Sequence, residues 1–199
     1  MDQDLPVLTT ARLTLRIAGP SDAERCVRFS RENADFLKPW EPPLVPALLD
    51  PDAVREMRVK AVNQARSGTA YSFAIFPGSG DEDVPIAGWV EFTNVVRGVF
   101  QSCAMGYKLD RMMQGHGYMT EATRAGIDYL FNEQHLHRVS AAYMPHNQRS
   151  AAVLRRLGFS IEGTAKSYLF INGQWRDHVL TSLINAREAP PPGYVLDDE

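Results

Sequence analysis

Two short segments carry residue types that can do chemistry. The first ends a strand at Tyr107-Lys108-Leu109, passes through Gln114-Gly115-His116-Gly117-Tyr118, and opens a helix at Met119-Thr120-Glu121-Ala122. Glycines two apart let the backbone turn tightly and approach a ligand closely. The helix that follows offers unpaired N–H groups and the positive end of its dipole. Together these predict an anion site suited to a pyrophosphate. A plain strand-to-helix connection uses the same glycines and stays open at this point. Two nucleotide motifs are excluded: no Gly-Lys-Ser/Thr completes a P-loop, and no third glycine completes the dinucleotide fingerprint.

The second segment is Tyr143-Met144-Pro145-His146-Asn147-Gln148-Arg149-Ser150, followed by Leu154-Arg155-Arg156-Leu157-Gly158-Phe159. Here a strand delivers Asn147 and Ser150 to the first turn of a helix. Asn147 suits an N-cap, and its amide suits an amide-rich ligand beside the strand. Elsewhere the chemistry thins out. His116, His135, His137, His146 and His178 pair with neither Cys nor His at i+4, so no metal site is expected. Cys103, in a strand with no evident base, reads as a small core residue.

These segments need elements to position them. Residues 9–17 alternate Leu13, Leu15 and Ile17 against polar neighbours and predict a half-buried strand. Gly19-Pro20-Ser21-Asp22 opens a helix. Phe36–Pro43, with three prolines and two aromatics, predicts an ordered loop rather than helix. A second helix runs from Asp50-Pro51-Asp52 to about Arg66, and Gly68 ends it. Strands follow at Tyr71–Phe76, Ile86–Asn94 and Ser102–Leu109. Gly106 inside the last of these suggests a bulge or a close backbone approach. A helix over Met119–Asn132, a buried strand over Arg138–Tyr143 and a helix over Asn147–Leu157 come next. Asn172-Gly173 between two alternating runs, Lys166–Ile171 and Gln174–Ile184, predicts a hairpin. Strands that come both as hairpins and around helices predict an α/β fold on a mixed sheet. Residues 1–185 read as one domain. The stretch 186–199, with Pro190-Pro191-Pro192 and a final Asp197-Asp198-Glu199, reads as a disordered acidic tail.

Composition narrows the function classes. With 24 acidic and 21 basic side chains the net charge is −3, which argues against a nucleic-acid coat. Two cysteines make no disulfide framework. No apolar run reaches the length of a membrane span, and the N-terminus lacks a signal-peptide pattern, so a cytoplasmic setting is expected.

The order of strand, Gln-Gly-x-Gly turn, helix, strand, Asn-x-x-Ser helix and Leu-Gly-Phe strand resembles the GNAT N-acetyltransferase family. Phe36–Pro42, Asn94–Gly98, Tyr143–Ser150 and Asn172–Leu180 resemble its RimJ-like branch of ribosomal-protein-alanine acetyltransferases. The resemblance spans about residues 8–184. It implies a central mixed sheet splayed into a V-shaped slot for acetyl-CoA and flanked by helices, with no metal. In that reading Gln114, Gly115, His116, Gly117 and Tyr118 hold the pyrophosphate. Tyr107, Lys108 and Leu109 pair with the pantetheine arm as another strand would, and Asn147 bonds it. A bulge at Gly106 opens the slot. Ser150 matches a Ser that some relatives use near the leaving thiol, and Ser150 and Glu41 are the catalytic candidates. Glu91 and Asp177 would attract a cationic acceptor, and Phe36, Trp40 and Trp175 would wall it. The sequence departs from the family at Met112, where Gln or Arg is usual, and at Leu154, where many members carry a Tyr acid. The implied acceptor is a protein N-terminus of ribosomal origin, with the enzyme a monomer or homodimer. Two alternatives stand beside it: acetylation of a small-molecule amine, and a non-catalytic acyl-CoA binder.

Overall fold

The computed structural model describes residues 5–81, 84–187 and 191. Its strands are β1 (Val7–Thr9), β2 (Leu13–Ile17), β3 (Tyr71–Pro77), β4 (Gly88–Val96), β5 (Ser102–Leu109), β6 (Arg138–Tyr143), β7 (Ser160–Ile171) and β8 (Gln174–Ile184). They form one sheet in the order β1-β2-β3-β4-β5-β6-β8-β7. Every neighbouring pair is antiparallel except β5–β6, which is parallel. That parallel step is joined by helix α3 (Tyr118–Asn132), as a crossover requires. The α/β mixed sheet expected from the sequence is therefore present.

Alternation along the central strands assigns one apolar layer to each face. Phe73, Val90, Phe92 and Met105 pack with Ile127 and Leu130 of α3 and Leu154 of α4 (Gln148–Leu157). Ala74, Phe76 and Trp89 pack on the other face with Val27 and Phe29 of α1 (Ala23–Leu37) and Val54 of α2 (Pro51–Arg66). Burying one such large side chain contributes roughly 1.5–3 kcal/mol. Gly126 lets α3 sit close to the sheet, since a Cβ there would lie 2.6 Å from Cε2 of Phe92. The depth of α3 matters because its N-terminus closes the glycine turn.

Four elements depart from the sequence reading. The expected strand 9–17 is two strands, because Thr10 turns the chain: its N–H donates to the Leu13 carbonyl at 2.9 Å. Helix α1 runs through Phe36 to Leu37 rather than stopping before Phe36. The first proline is Pro39, and it restricts only Lys38 before it. β7 starts at Ser160, six residues before the expected Lys166, and its pairing with β8 carries two register shifts that blur the alternation. Gly106 is not a bulge: its pairing with Glu91 lies in unbroken register with β4, and the irregularity falls between Thr93 and Val96. The slot opens at Gly106 all the same, because β5 stops pairing with β6 after Met105↔Ala141. The expected tail lies almost wholly outside the described residues. Among the described residues no helix is long and apolar enough to cross a membrane.

Candidate active site

Beyond Met105 and Ala141 the parallel strands separate, and a cavity of about 320 Å³ opens between them. Gly106, Tyr107 and Lys108 form its floor on β5, with Tyr143, Asn147 and Ser150 opposite. Phe36, Trp40 and Glu41, at the end of α1 and in the turn after it, form one wall, with Glu91 of β4 behind them. Ile171 and His178 of the β7–β8 hairpin close another side. Leu109, Gln114, Met119, Arg149 and Val153 also border a second groove of about 860 Å³, so the two spaces are continuous. That groove runs past Gly115, Gly117 and Tyr118 to Arg124 and Arg156.

The glycine turn is held from behind. Gly115 and Gly117 have φ of +83° and +79°, the left-handed region that side chains with a Cβ rarely adopt. Gly117 is the N-cap of α3. Among the described residues, the N–H groups of Gly115, His116 and Gly117 bond no protein acceptor. Arg12, on the β1–β2 turn, donates from Nη1 to the His116 carbonyl at 3.0 Å and from Nε to Glu121 at 2.8 Å. Its guanidinium also lies 4.5 Å over the Tyr118 ring. Burial raises the Glu121 carboxyl, but hydrogen bonds from Thr10 and Arg12 outweigh it and hold the group below its usual range. Gln114 donates to the Leu109 and Asp110 carbonyls at 3.1 and 3.2 Å. Buried Asn33 of α1 bonds Asp110 at 2.7 Å and accepts from the Arg111 N–H at 3.1 Å. Sequence reasoning missed Asn33 and Arg12, since their partners lie 77 to 109 residues away. His116 itself is exposed.

Two hydroxyls meet in the cleft. Tyr107 Oη and Ser150 Oγ lie 2.8 Å apart, and either can donate. Burial pushes the Tyr107 phenol up to about 12, with the Ser150 bond pulling the other way. The sequence points to the Tyr107 backbone and carries no signal of this hydroxyl contact. Asn147 accepts from the Ser150 N–H at 3.1 Å through Oδ1, capping α4. Leu154, where the family resemblance leads one to expect a Tyr, is 2% exposed and belongs to the core.

The acidic candidates separate. Glu41 pairs with Lys108 at 2.9 Å, and its carbonyl accepts from the Asn172 N–H at the hairpin tip. Glu91 accepts from Ser72 at 3.0 Å. Asp177 and Trp175 do not line the cleft. Asp177 turns to Lys166 and to the Ser167 N–H, at 2.8 and 2.9 Å. Trp175 is 64% exposed and meets the Phe170 ring edge-on. Alternation along β8 accounts for this: His178, their neighbour, is the residue turned inward. Trp40 lies against the His146 ring, 5.5 Å between centroids. Cys103 is buried, and burial pushes its thiol up to about 12, so it is inert at neutral pH.

Comparison with known proteins agrees with this geometry. Residues 12–160 match the acetyltransferase (GNAT) domain. The chain is 46% identical over 177 residues to a [ribosomal protein uS5]-alanine N-acetyltransferase of Escherichia coli, covering 88% of this chain and 89% of that one. A ribosomal-protein-S5-alanine acetyltransferase from Vibrio fischeri has the same fold, with TM-score 0.87, 36% identity, and coverage of 93% and 100%. RimJ of Mycobacterium smegmatis, solved with CoA-disulfide, gives TM-score 0.81 at 27% identity, covering 96% and 91%. The chain belongs to the GNAT acetyltransferase family, and it is an acetyl-CoA-dependent N-acetyltransferase.

Proposed function

We propose that this acetyltransferase modifies the N-terminal alanine of a ribosomal protein, by direct attack of the amine in a ternary complex. One observation carries the reading: where β5 leaves β6, a paired Tyr107 and Ser150 face a space that Glu41 and Glu91 also line. The acceptor class is supported by the E. coli and V. fischeri relatives, which are named for alanine acetylation of uS5 or S5. The spermidine N(1)-acetyltransferase of Escherichia coli matches 42% of this chain, against 88% for the alanine acetyltransferase, so the small-amine alternative has less support.

The residues present fit acetyl-CoA. Two left-handed glycines, their unpaired N–H groups and the start of α3 suit a pyrophosphate. Arg124, Arg149 and Arg156 line the same groove and suit phosphate charge. Tyr107–Leu109, freed from β6, offers backbone groups to an amide-bearing arm. Capping uses only the oxygen of Asn147, which leaves its N–H groups for that arm. Acetyl-CoA supplies a thioester-activated acetyl group. An α-amine has a pKa of about 8, so roughly a tenth is neutral at pH 7, against well under a thousandth for a lysine near 10.4. Such an acceptor needs no strong base. The N–C bond forms as the C–S bond breaks, and the amine proton passes to water beside Glu91 or Glu41. The Ser150–Tyr107 pair donates a hydrogen bond or proton to the departing sulfur. With its phenol pushed up to about 12, Tyr107 stays protonated at neutral pH and remains a donor. Positioning both reactants supplies much of the acceleration.

CoA release measured over N-terminal peptides and small amines tests the reading. Ala-initiated basic peptides should react faster than Leu-initiated ones. Faster turnover of spermine or an aminoglycoside than of any peptide overturns it.

A further inference from the structure

The proton shed by the attacking amine must come to rest on some group of the cleft, and both carboxylates there are engaged. Glu41 pairs with Lys108 at 2.9 Å, and Glu91 accepts from Ser72 at 3.0 Å. His178 of β8 lines the same cavity and is 4% exposed. Its Nδ1 lies 3.0 Å from the Arg176 carbonyl. A carbonyl only accepts, so Nδ1 carries the hydrogen and Nε2 holds the lone pair. Among the described residues Nε2 has no hydrogen-bond partner, yet it is not one of the side-chain atoms closed off from water. The Nδ1 bond persists once Nε2 gains a proton, so the ring can charge and discharge without moving.

Strand parity places this ring on the acceptor side of the sheet. Tyr107 pairs with Val90, and both belong to the core layer beneath α3 and α4, where Ser150 meets the Tyr107 hydroxyl. Gly106 pairs with Glu91, and Lys108 with Trp89, which packs on the opposite layer with α1. A Cβ on Gly106 would meet nothing within 4 Å, so open space lies on that second face. Val179 pairs with Tyr143, which packs against the first layer, so its neighbour His178 takes the second. Glu91 and His178 thus flank the separated strands on one face, and the hydroxyl pair stands on the other.

We propose that His178 is the catalytic base: the water that receives the amine proton hands it to Nε2. The inference rests on direct attack by the amine in this cleft, and not on which amine attacks. The N–C bond forms, the C–S electron pair leaves with the sulfur, and the Ser150–Tyr107 pair bonds that sulfur. The proton lost by nitrogen makes an imidazolium, which returns it to solvent after the product leaves. A base within one water of the amine is near enough for this transfer, and an imidazole is matched to neutral pH.

Single-turnover rates with saturating acetyl-CoA and the fastest amine of the panel above isolate the chemical step. His178→Asn keeps an N–H for the Arg176 carbonyl and removes the base. The rate should fall about a hundredfold, the lower end for a general base, while calorimetric affinity for acetyl-CoA changes less than about threefold. From about pH 8 to pH 5 the wild-type rate should fall more steeply than the variant's, because imidazole and amine must both be unprotonated in the first and only the amine in the second. The titratable groups around the ring are Tyr168 on β7, 5.6 Å away between centroids, Asp177 beside it, and Tyr143, Glu41, Glu91 and Lys108 across the cavity, and all of them stay in the variant. A wild-type rate that is flat over that range overturns the assignment without any variant, should His178→Asn fail to fold. An undiminished rate in folded His178→Asn, or parallel profiles, overturns His178 as the base and leaves direct attack standing. Acetyl label carried by the enzyme after acetyl-CoA alone, and passed to amine added later, overturns direct attack and this inference together.

Discussion

The two ends of the cleft are made of different material. At the proposed donor end the groups offered to the ligand are backbone N–H groups of a glycine turn, and side chains such as Arg12, Gln114 and Asn33 hold that backbone in place. At the proposed acceptor end the lining groups are side chains: Phe36 at the end of α1 and Trp40 just after it, Glu91 on β4, and His178 on β8. A backbone site is encoded locally, in five consecutive residues. A side-chain site is assembled from segments more than a hundred residues apart. One fold can therefore keep its acyl donor while its acceptors vary.

The largest effect should come from the anchor beneath the acceptor wall. Asp22, 4% exposed, ties Arg16 of β2 at 2.6 Å to Arg25 of α1 at 2.9 Å, and α1 carries Phe36. Burial alone raises the Asp22 carboxyl, but the Arg16 bond and charge, the Gly19 N–H and Arg25 together leave it below its ordinary value. A lowered folded pKa means its stabilisation is complete above the unfolded value near 4 and is lost as pH falls through the folded one. Asp22→Asn takes the anion from two guanidinium groups, Arg25 keeping the Asp81 and Val84 carbonyls, and should cost about 3 kcal/mol at pH 7. Denaturant titrations from pH 7 to pH 2 should show the wild-type curve falling towards the variant's below about pH 4. Parallel curves would remove Asp22 from the acid response.

Next in size is the hydroxyl pair at the boundary between the two ends. Ser150→Ala and Tyr107→Phe should each lower kcat about a hundredfold, the lower end for a general acid, with smaller changes in KM for acetyl-CoA. The double variant should lose little more, because the two hydroxyls act as one unit. Wild-type turnover in Ser150→Ala would leave Ser150 with its Asn147 cap alone.

Gly117→Val probes the donor end in isolation. At φ +79° a branched residue is strained, so the turn must shift, and its Cβ would lie 3.7 Å from Nη2 of Arg12, the brace behind the turn. Calorimetric affinity for acetyl-CoA should fall at least tenfold, or about 1.4 kcal/mol, while peptide KM changes less. Unchanged affinity in folded variant would move the pyrophosphate elsewhere.

The same contrast explains what could be read in advance. The Gly-x-Gly turn, the Asn147 cap and the Asn-Gly hairpin are local rules, and the structure holds each of them. Gly106 shows a rule applied to the wrong cause: the slot opens there by loss of pairing with β6, not by a bulge against β4. Trp175 and Asp177 had the right chemistry for an acceptor site and the wrong parity, and two register shifts in the β7–β8 pairing hid which face each would take. The Arg12 brace and Asn33 clamp had no local signal at all, because each is defined by a partner far along the chain.

The smallest expected effect is also the one that divides the acceptor end most finely. Glu41 lies 2.9 Å from Lys108, and both side chains are about 30% exposed. An exposed pair of this kind is worth roughly 0–1 kcal/mol, so changes up to about fivefold are in scale. If Glu41 meets the acceptor's ammonium, Lys108 competes with that ammonium for the same carboxylate. Glu41→Gln should then raise peptide KM about threefold, and Lys108→Met should lower it. If the pair only fastens the Trp40 loop to β5, both variants should raise KM in the same direction. Salt separates the cases further: attraction of a cationic peptide weakens as the Debye length shortens from about 10 Å at 0.1 M to about 3 Å at 1 M. Peptide KM in wild type should therefore rise with salt, and in Glu41→Gln it should rise less. A Glu41→Gln enzyme with wild-type peptide KM at low salt takes Glu41 out of the acceptor site and leaves Glu91 as the carboxylate facing the amine.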